Sequence, residues 1–339
     1  MARIAVNGFG RIGRTFVRCA ADSDLDIVAI NDVADPANLA YLLKYDTVYG
    51  RFDDVALEGN TMRIGKWSAR MTQERDPANL PWRELGIDVV VESSGFFLDR
   101  AGAGKHLQSG AKKVVLSAPA KGDGADVTVV LGVNWDTYDA DKHRIISNAS
   151  CTTNCAATMA KVLNDAFGIE WAFMMTAHAY TASQKLVDGP EKKWRRGRAA
   201  AQSIVPASTG AAEAVSLVIP ELKGKMHAAA LRVPVVCGSL LEIVCQTARP
   251  ASAESVNDAF SRASNAGKLK GLLTVTGDEL VSSDIIGDAS SAKVDLKSTR
   301  ALGQNLVQVF GWYDNEWGYC CRLRDVTAKV AERIFAPAL

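Results

Sequence analysis

No stretch of the 339-residue chain stays apolar over the roughly 18 to 20 residues that a membrane-spanning helix needs. An excess of charge of one sign is also missing. The 39 Lys and Arg against 38 Asp and Glu leave a net +1, so no global field draws the protein to nucleic acid or to a membrane surface. Histidine is scarce, at four residues, which leaves few candidates for a base working near neutral pH. Cysteine is present without a framework: seven residues, an odd number with no regular spacing. That fits a reducing compartment better than a disulfide scaffold. No internal repeat, low-complexity tract or long flexible linker breaks the chain, so its domains should be tightly packed. The segment Met1-Ala2-Arg3-Ile4-Ala5-Val6 is too short in its apolar part for a signal peptide. No metal site is expected. With 48% hydrophobic and 23% charged residues the composition is that of a globular chain, and the length exceeds one ordinary core. The expectation is a soluble, cytoplasmic protein of two domains.

The first half carries the signs of a doubly wound α/β sheet. Arg3-Ile4-Ala5-Val6-Asn7 reads as a strand and runs directly into Gly8-Phe9-Gly10-Arg11-Ile12-Gly13, a G-x-G-x-x-G turn before a helical run. Gly8 permits the tight turn, Gly10 lets a pyrophosphate approach the backbone, and Gly13 lets helix and strand pack closely. The helix N-terminus then faces the phosphates. A second strand ends at Asp32, about 20 residues beyond the glycines, where a carboxylate accepts from a ribose 2′-hydroxyl and repels a 2′-phosphate. Asp32 therefore favours NAD over NADP. The alternative is a glycine turn in an ordinary α/β unit. Further strands are expected at 87–93, 113–119 and 127–132, a helix at 100–109, and a hairpin over 63–73. Ser94, Gly95, Ser117 and Pro119 fall at strand C-termini, where such sheets carry ligands.

The chemistry is expected around Ser147-Asn148-Ala149-Ser150-Cys151-Thr152-Thr153-Asn154-Cys155. A short strand precedes this stretch and a helix follows it, so Cys151 sits at a helix N-terminus, where orphan N–H groups and the dipole lower a thiol's pKa. A cysteine among small residues also reads as a buried hydrophobe. An activated cysteine needs a base. His106 and His143 read as helix surface and loop, which leaves His178, at the end of an apolar run expected to be a buried strand, as the better candidate over His227. Ser208-Thr209-Gly210-Ala211 is a second turn before a helix and a potential anion site. Arg232 lies within a strand-like run, where a charge wants an anionic partner such as a phosphate. The basic cluster Lys192-Lys193-Trp194-Arg195-Arg196-Gly197-Arg198 suggests phosphate or nucleic-acid binding, but reads better as a solvated or inter-subunit loop. Asn315, in an aromatic-rich stretch, can donate and accept together, which suits a nicotinamide carboxamide.

These motifs, taken in order with His178-Ala179-Tyr180-Thr181 and Trp312-Tyr313-Asp314-Asn315-Glu316, resemble phosphorylating glyceraldehyde-3-phosphate dehydrogenases over essentially the whole chain. The resemblance implies a Rossmann NAD-binding domain at 1–149, an α+β catalytic domain with a mixed or antiparallel sheet at 150–315, and a final helix, 316–339, returning to the first. It implies a homotetramer in which the loop at about 185–202 reaches towards a neighbouring cofactor site. Cys151 would be the nucleophile and His178 its base. Arg11, Ile12, Asp32, Arg75, Ser117 and Asn315 would hold NAD. Thr181 and Arg232 would hold the substrate's phosphate, and Ser150, Thr152, Thr209 and Gly210 would surround inorganic phosphate. The reaction implied converts D-glyceraldehyde 3-phosphate to 1,3-bisphosphoglycerate with NAD and inorganic phosphate, as in glycolysis. An erythrose-4-phosphate dehydrogenase or a non-phosphorylating relative ranks lower, because His178-Ala179-Tyr180-Thr181 and Asp188-Gly189-Pro190 look unlike the erythrose enzymes; nucleic acid is not expected as a primary partner.

The sequence departs from the family pattern in places. Ser183 replaces a common aspartate, Glu213 a lysine, and Cys320-Cys321 a Ser-Asn pair, while 235–243 diverges as a block. These departures read either as an isoenzyme with a reshaped second domain around an unchanged catalytic pair or, equally, as drift in a packing layer remote from the site.

Overall fold

The structure, a computed structural model, describes residues 1–335, so 336–339, the end of the expected final helix, lie outside the described residues. The chain forms two compact units. One comprises residues 1–129, 136–149 and 320 onward; the other comprises 130–135 and 150–319.

In the first unit the elements run β1 (Arg3–Asn7), α1 (Arg11–Ala20), β2 (Asp26–Asn31), α2 (Pro36–Lys44), β3 (Tyr45–Asp46), β4 (Gly50–Arg51), β5 (Val55–Glu58), β6 (Thr61–Ile64), β7 (Trp67–Thr72), β8 (Val89–Glu92), α3 (Arg100–Gln108), β9 (Lys113–Leu116), β10 (Val127–Thr128) and β11 (Ile145–Ser147). The nine-stranded sheet has the order β10-β11-β9-β8-β1-β2-β7-β6-β5. Its β10-to-β7 portion is parallel, and the β5–β6–β7 meander closes one edge antiparallel. Strands β8 and β9 are buried at every position, as strands covered on both faces must be. Ala5, Ala29, Trp82, Ile87 and Val90 form one core cluster, each large side chain contributing about 1.5–3 kcal/mol by leaving water. The strand expected over 127–132 stops at Thr128. His106 is not on a helix surface as its segment suggested. It has no exposed area, because Trp82 Nε1 donates to its Nδ1 (3.0 Å) and its Nε2 meets the Glu92 carboxylate at 3.0 Å.

The second unit continues with α4 (Cys151–Phe167), β12 (Ile169–Ala179), β13 (Val205–Ala207), α5 (Ala211–Val218), β14 (Met226–Val233), β15 (Ser239–Thr247), α6 (Ala253–Asn265), β16 (Leu273–Thr276), β17 (Ala292–Asp295), β18 (Arg300–Leu302) and β19 (Leu306–Tyr313); α7 (Trp317–Phe335) ends the described chain. This mixed, mostly antiparallel sheet has the order β13-β14-β12-β15-β19-β17-β16, with β18 on β19. Burial alternates strictly along β15, so one face is covered and the other is open. β12 follows suit and corrects the expectation of a wholly buried strand: Trp171, Phe173 and Met175 are 43%, 58% and 42% exposed. Helix α7 begins at Trp317, within one residue of the start expected at 316. Its Cys320 and Cys321 reach α1 through Ile12 O and Cys19 Sγ.

Candidate active site

Within the second unit, a row of side chains crosses four neighbouring strands. The β12–β14 register sets His178 opposite Arg232, and the β15–β19 register sets Ser239 opposite Tyr313. The β12–β15 ladder ends at the Ala177–Leu240 pair, one residue short of His178 and Ser239. Residues far apart in sequence thus meet at one end of the sheet.

Helix α4 brings Cys151 to that row. Ser150 is its N-cap and accepts from Thr153 N at 3.0 Å, the role a serine plays where the first N–H groups lack partners. Ala149 just before it has φ 54°, a conformation that costs an ordinary L residue energy and turns the chain sharply from strand into helix. Thr152 Oγ1 lies 3.0 Å from Tyr313 Oη, which also lies 2.8 Å from Thr176 Oγ1. Thr152, the neighbour of Cys151, is thereby tied to two strands.

His178 Nε2 is 3.4 Å from Cys151 Sγ. On the other side of the ring, Nδ1 is 2.7 Å from Ala179 O and 2.8 Å from Arg232 Nη1. Arg232 Nη1, which can only donate, also lies 3.0 Å from Ala179 O. In the tautomer where it gives its hydrogen to that carbonyl and Nδ1 turns its own proton to the same oxygen, Nε2 keeps its lone pair facing the thiol, which is the form a base requires. Burial, and then the Arg232 charge, push His178 down to about 3, so it is neutral at physiological pH and can accept a proton. The thiol differs from the sequence expectation. Burial pushes Cys151 up, and the Arg232 charge and the Thr152 hydroxyl and N–H only partly oppose it. Crowding around the sulfur outweighs the helix N-terminus, so the resting form is a thiol that needs the adjacent base.

The other expected anion-binding residues are spread more widely. Thr181 Oγ1 is 2.9 Å from Ser183 Oγ, and Ser183 accepts from Arg196 Nη1 at 3.0 Å. Among the described residues the buried Nε atoms of Arg196 and Arg232 have no acceptor, so each guanidinium keeps donor capacity for an anion. The sequence places Arg196 in a solvated or inter-subunit loop, and nothing local separates it from its basic neighbours. Thr209 and Gly210 end the turn that leaves β13, whose Val205 pairs with Arg232. Thr209 Oγ1 accepts from Ala211 N at 3.2 Å. Asn315 is buried and its Oδ1 accepts from Ser239 Oγ at 2.8 Å. Tyr313 and Ser239, like Arg196, were not legible as site residues.

The first unit holds a separate pocket of about 440 Å³ lined by Asn7, Gly8, Gly10, Asp32, Arg75 and Ser94 among others. A Cβ on Gly8 would stand 2.3 Å from Ser94 N, and one on Gly13 would stand 2.2 Å from Gly8 O, so only glycine fits either place. Among the described residues a Cβ at Gly10 would meet nothing within 4 Å and no side chain caps α1 there, which leaves the helix N-terminus open. Arg11 and Ile12 form that first turn. Asp32 Oδ2 accepts from Phe9 N at 2.6 Å and Oδ1 from Ala34 N at 2.9 Å, fixing the carboxylate at the pocket edge. Ser94 is engaged: its N–H and hydroxyl both donate to Glu92, at 2.8 and 2.5 Å. Gly95 makes the turn after it with φ 78°. Ser117 follows β9 and donates its N–H to Glu92 O at 2.9 Å. This open helix terminus, glycine turn and edge carboxylate fit a dinucleotide.

Residues 2–100 match the family described as glyceraldehyde 3-phosphate dehydrogenase, NAD binding domain, and residues 150–315 match its C-terminal domain. The chain belongs to the glyceraldehyde-3-phosphate dehydrogenase family. It is 52% identical to glyceraldehyde-3-phosphate dehydrogenase 1 of Streptomyces avermitilis over 335 residues, covering 98% of this chain and 99% of the relative. It is 48% identical to glyceraldehyde-3-phosphate dehydrogenase 1 of Bacillus subtilis over 333 residues, covering 98% of each. An NAD-binding Rossmann domain followed by a domain with a mixed, mostly antiparallel sheet is the family's architecture, and it is the one found here.

Proposed function

We propose that this member of the family is the NAD-dependent, phosphorylating dehydrogenase of D-glyceraldehyde 3-phosphate in glycolysis, forming 1,3-bisphosphoglycerate. The observation that carries this is the 3.4 Å approach of His178 Nε2 to Cys151 Sγ, with Arg232 2.8 Å from the same imidazole. We assign the second unit as the catalytic part and the first as the cofactor part. His178 takes the thiol proton as Cys151 Sγ attacks the aldehyde carbon, and a thiohemiacetal forms on the cysteine. The protonated imidazole and the Cys151 N–H, at the first position of α4, stabilise the developing oxyanion. Arg232, Thr181 and Arg196 hold the substrate's phosphate by charge-assisted hydrogen bonds. NAD, when bound, supplies the hydride acceptor. Gly8, Gly10, Arg11, Ile12, Gly13, Asp32, Arg75, Ser94, Gly95, Ser117 and Asn315 would hold it. His178 then carries off the hydroxyl proton as the thioester forms on Cys151. Inorganic phosphate, received by Ser150, Thr152, Thr209 and Gly210, attacks that thioester and releases the thiol.

We also propose that the protein works as a homotetramer in the cytoplasm. The open sheet face with Trp171, Phe173 and Met175 supports self-association, since aromatic area of this kind rarely stays in water. Among the described residues no helix is long and apolar enough to cross a membrane. The test of the activity is NADH absorbance with glyceraldehyde 3-phosphate, with and without inorganic phosphate. Turnover that needs both is expected; sustained turnover without phosphate overturns the phosphorylating assignment.

A further inference from the structure

Ser239 opens β15 with no exposed surface. Its Oγ accepts the backbone N–H of Ala179 at 3.1 Å and lies 2.8 Å from Asn315 Oδ1. A hydroxyl has one proton to give. The Ala179 contact is an N–H and can only donate, and Asn315 is the hydroxyl's one other hydrogen-bond partner among the described residues, so the buried proton goes to Asn315, which presents its oxygen there. The approach is tightly built: at Gly238, with φ 84°, a Cβ would stand 2.0 Å from Ser282 O, so the chain enters β15 by one route. One buried hydroxyl therefore fixes an amide rotamer and ties it to the residue following His178.

We propose that Ser239 is a positioning residue that orients the Asn315 amide, turning its NH2 group away from Ser239 as a fixed donor for the carboxamide oxygen of the nicotinamide. The inference rests on the reading that Asn315 holds that carboxamide. It predicts that Ser239 governs recognition of the nicotinamide end of the cofactor and leaves the rest of the dinucleotide alone.

The experiment is equilibrium binding, by calorimetry, of NAD and of ADP-ribose, which lacks the nicotinamide ring, to wild type, Ser239→Ala, Asn315→Ala and the double variant. Ser239→Ala is expected to weaken NAD roughly five- to tenfold, the scale of one neutral hydrogen bond, with ADP-ribose unchanged. Asn315→Ala should do the same or more, and the double variant should be no worse than Asn315→Ala alone. Ser239→Thr, which keeps the hydroxyl, should retain NAD affinity, and Ser239→Cys, a poor donor of similar size, should lose it; this pair decides the matter if the alanine variant does not fold. The rate of Cys151 alkylation should stay at the wild-type value throughout. If Asn315→Ala weakens NAD selectively and Ser239→Ala does not, the role given to Ser239 is overturned. Equal weakening of NAD and ADP-ribose, or slowed alkylation, would make Ser239 a packing residue and also overturn it. If Asn315→Ala leaves NAD binding intact, the reading of Asn315 itself fails and takes this inference with it.

Discussion

Arg232 Nη1 lies 2.8 Å from His178 Nδ1, although 53 residues separate the two in the chain. A fixed cation against the ring, together with burial, keeps the imidazole neutral. Such a group links folding to pH. Its folded pKa, about 3, lies below the ordinary value of 6.5, so between the two the unfolded chain binds the extra proton. His178 therefore contributes stability in full above about pH 6.5, and this is lost as pH falls towards 3. His178→Asn should lose less stability than wild type between pH 7 and pH 4.5, measured by denaturant midpoints. Parallel losses in the two proteins would refute the linkage.

Cys151→Ser should abolish turnover while NAD binding persists, because an alcohol is hardly ionised even with an imidazole beside it. Cys155 lies one turn further into α4, with no exposed surface and its Sγ 3.8 Å from Met159 Sδ. Cys155→Ser should keep most activity and lose about 1–2 kcal/mol of stability by burying a hydroxyl in an apolar site. Substantial NADH production by the Cys151 variant would remove the nucleophile from the scheme.

Asp32→Ala should weaken NAD and narrow its preference over NADP. The carboxylate that accepts from Phe9 N and Ala34 N also repels a 2′-phosphate, and both effects go together. The check is the ratio of kcat/KM for the two cofactors. A wild-type enzyme that used them equally would contradict this role for Asp32.

Glu213 lies in the first turn of α5, and its Oε2 is 3.9 Å from the position a Cβ on Gly210 would take. A carboxylate there competes with an incoming anion at the Thr209–Gly210 turn. Glu213→Lys should lower the Michaelis constant for inorganic phosphate roughly two- to fivefold, the scale of one exposed charge, and leave that for NAD unchanged. An unchanged phosphate constant would mark the departure at 213 as neutral.

Tyr313→Phe removes the hydroxyl that meets both Thr152 and Thr176, leaving two buried hydroxyls short of a partner. A stability loss of about 1–3 kcal/mol is expected by denaturant unfolding. No loss would mean that the two threonines find other partners.

The sequence by itself determined whatever is written in neighbouring residues. The glycine turn after β1, the carboxylate at Asp32 and the serine-capped helix beginning at Cys151 are local patterns, since turns and helix ends are set by residues within a few positions. It also singled out His178, but by elimination among four histidines, and it misjudged His106, whose burial depends on Trp82 and Glu92 contributed by other segments. Only the tertiary structure decided what depends on strand register. Arg232 beside His178, Tyr313 beneath Thr152, and Ser239 between Ala179 and Asn315 all follow from the order β14-β12-β15-β19, which no local pattern encodes. The thiol's environment was decided the same way: the helix terminus that should lower its pKa is local, whereas the burial that raises it comes from strands brought in from elsewhere in the chain.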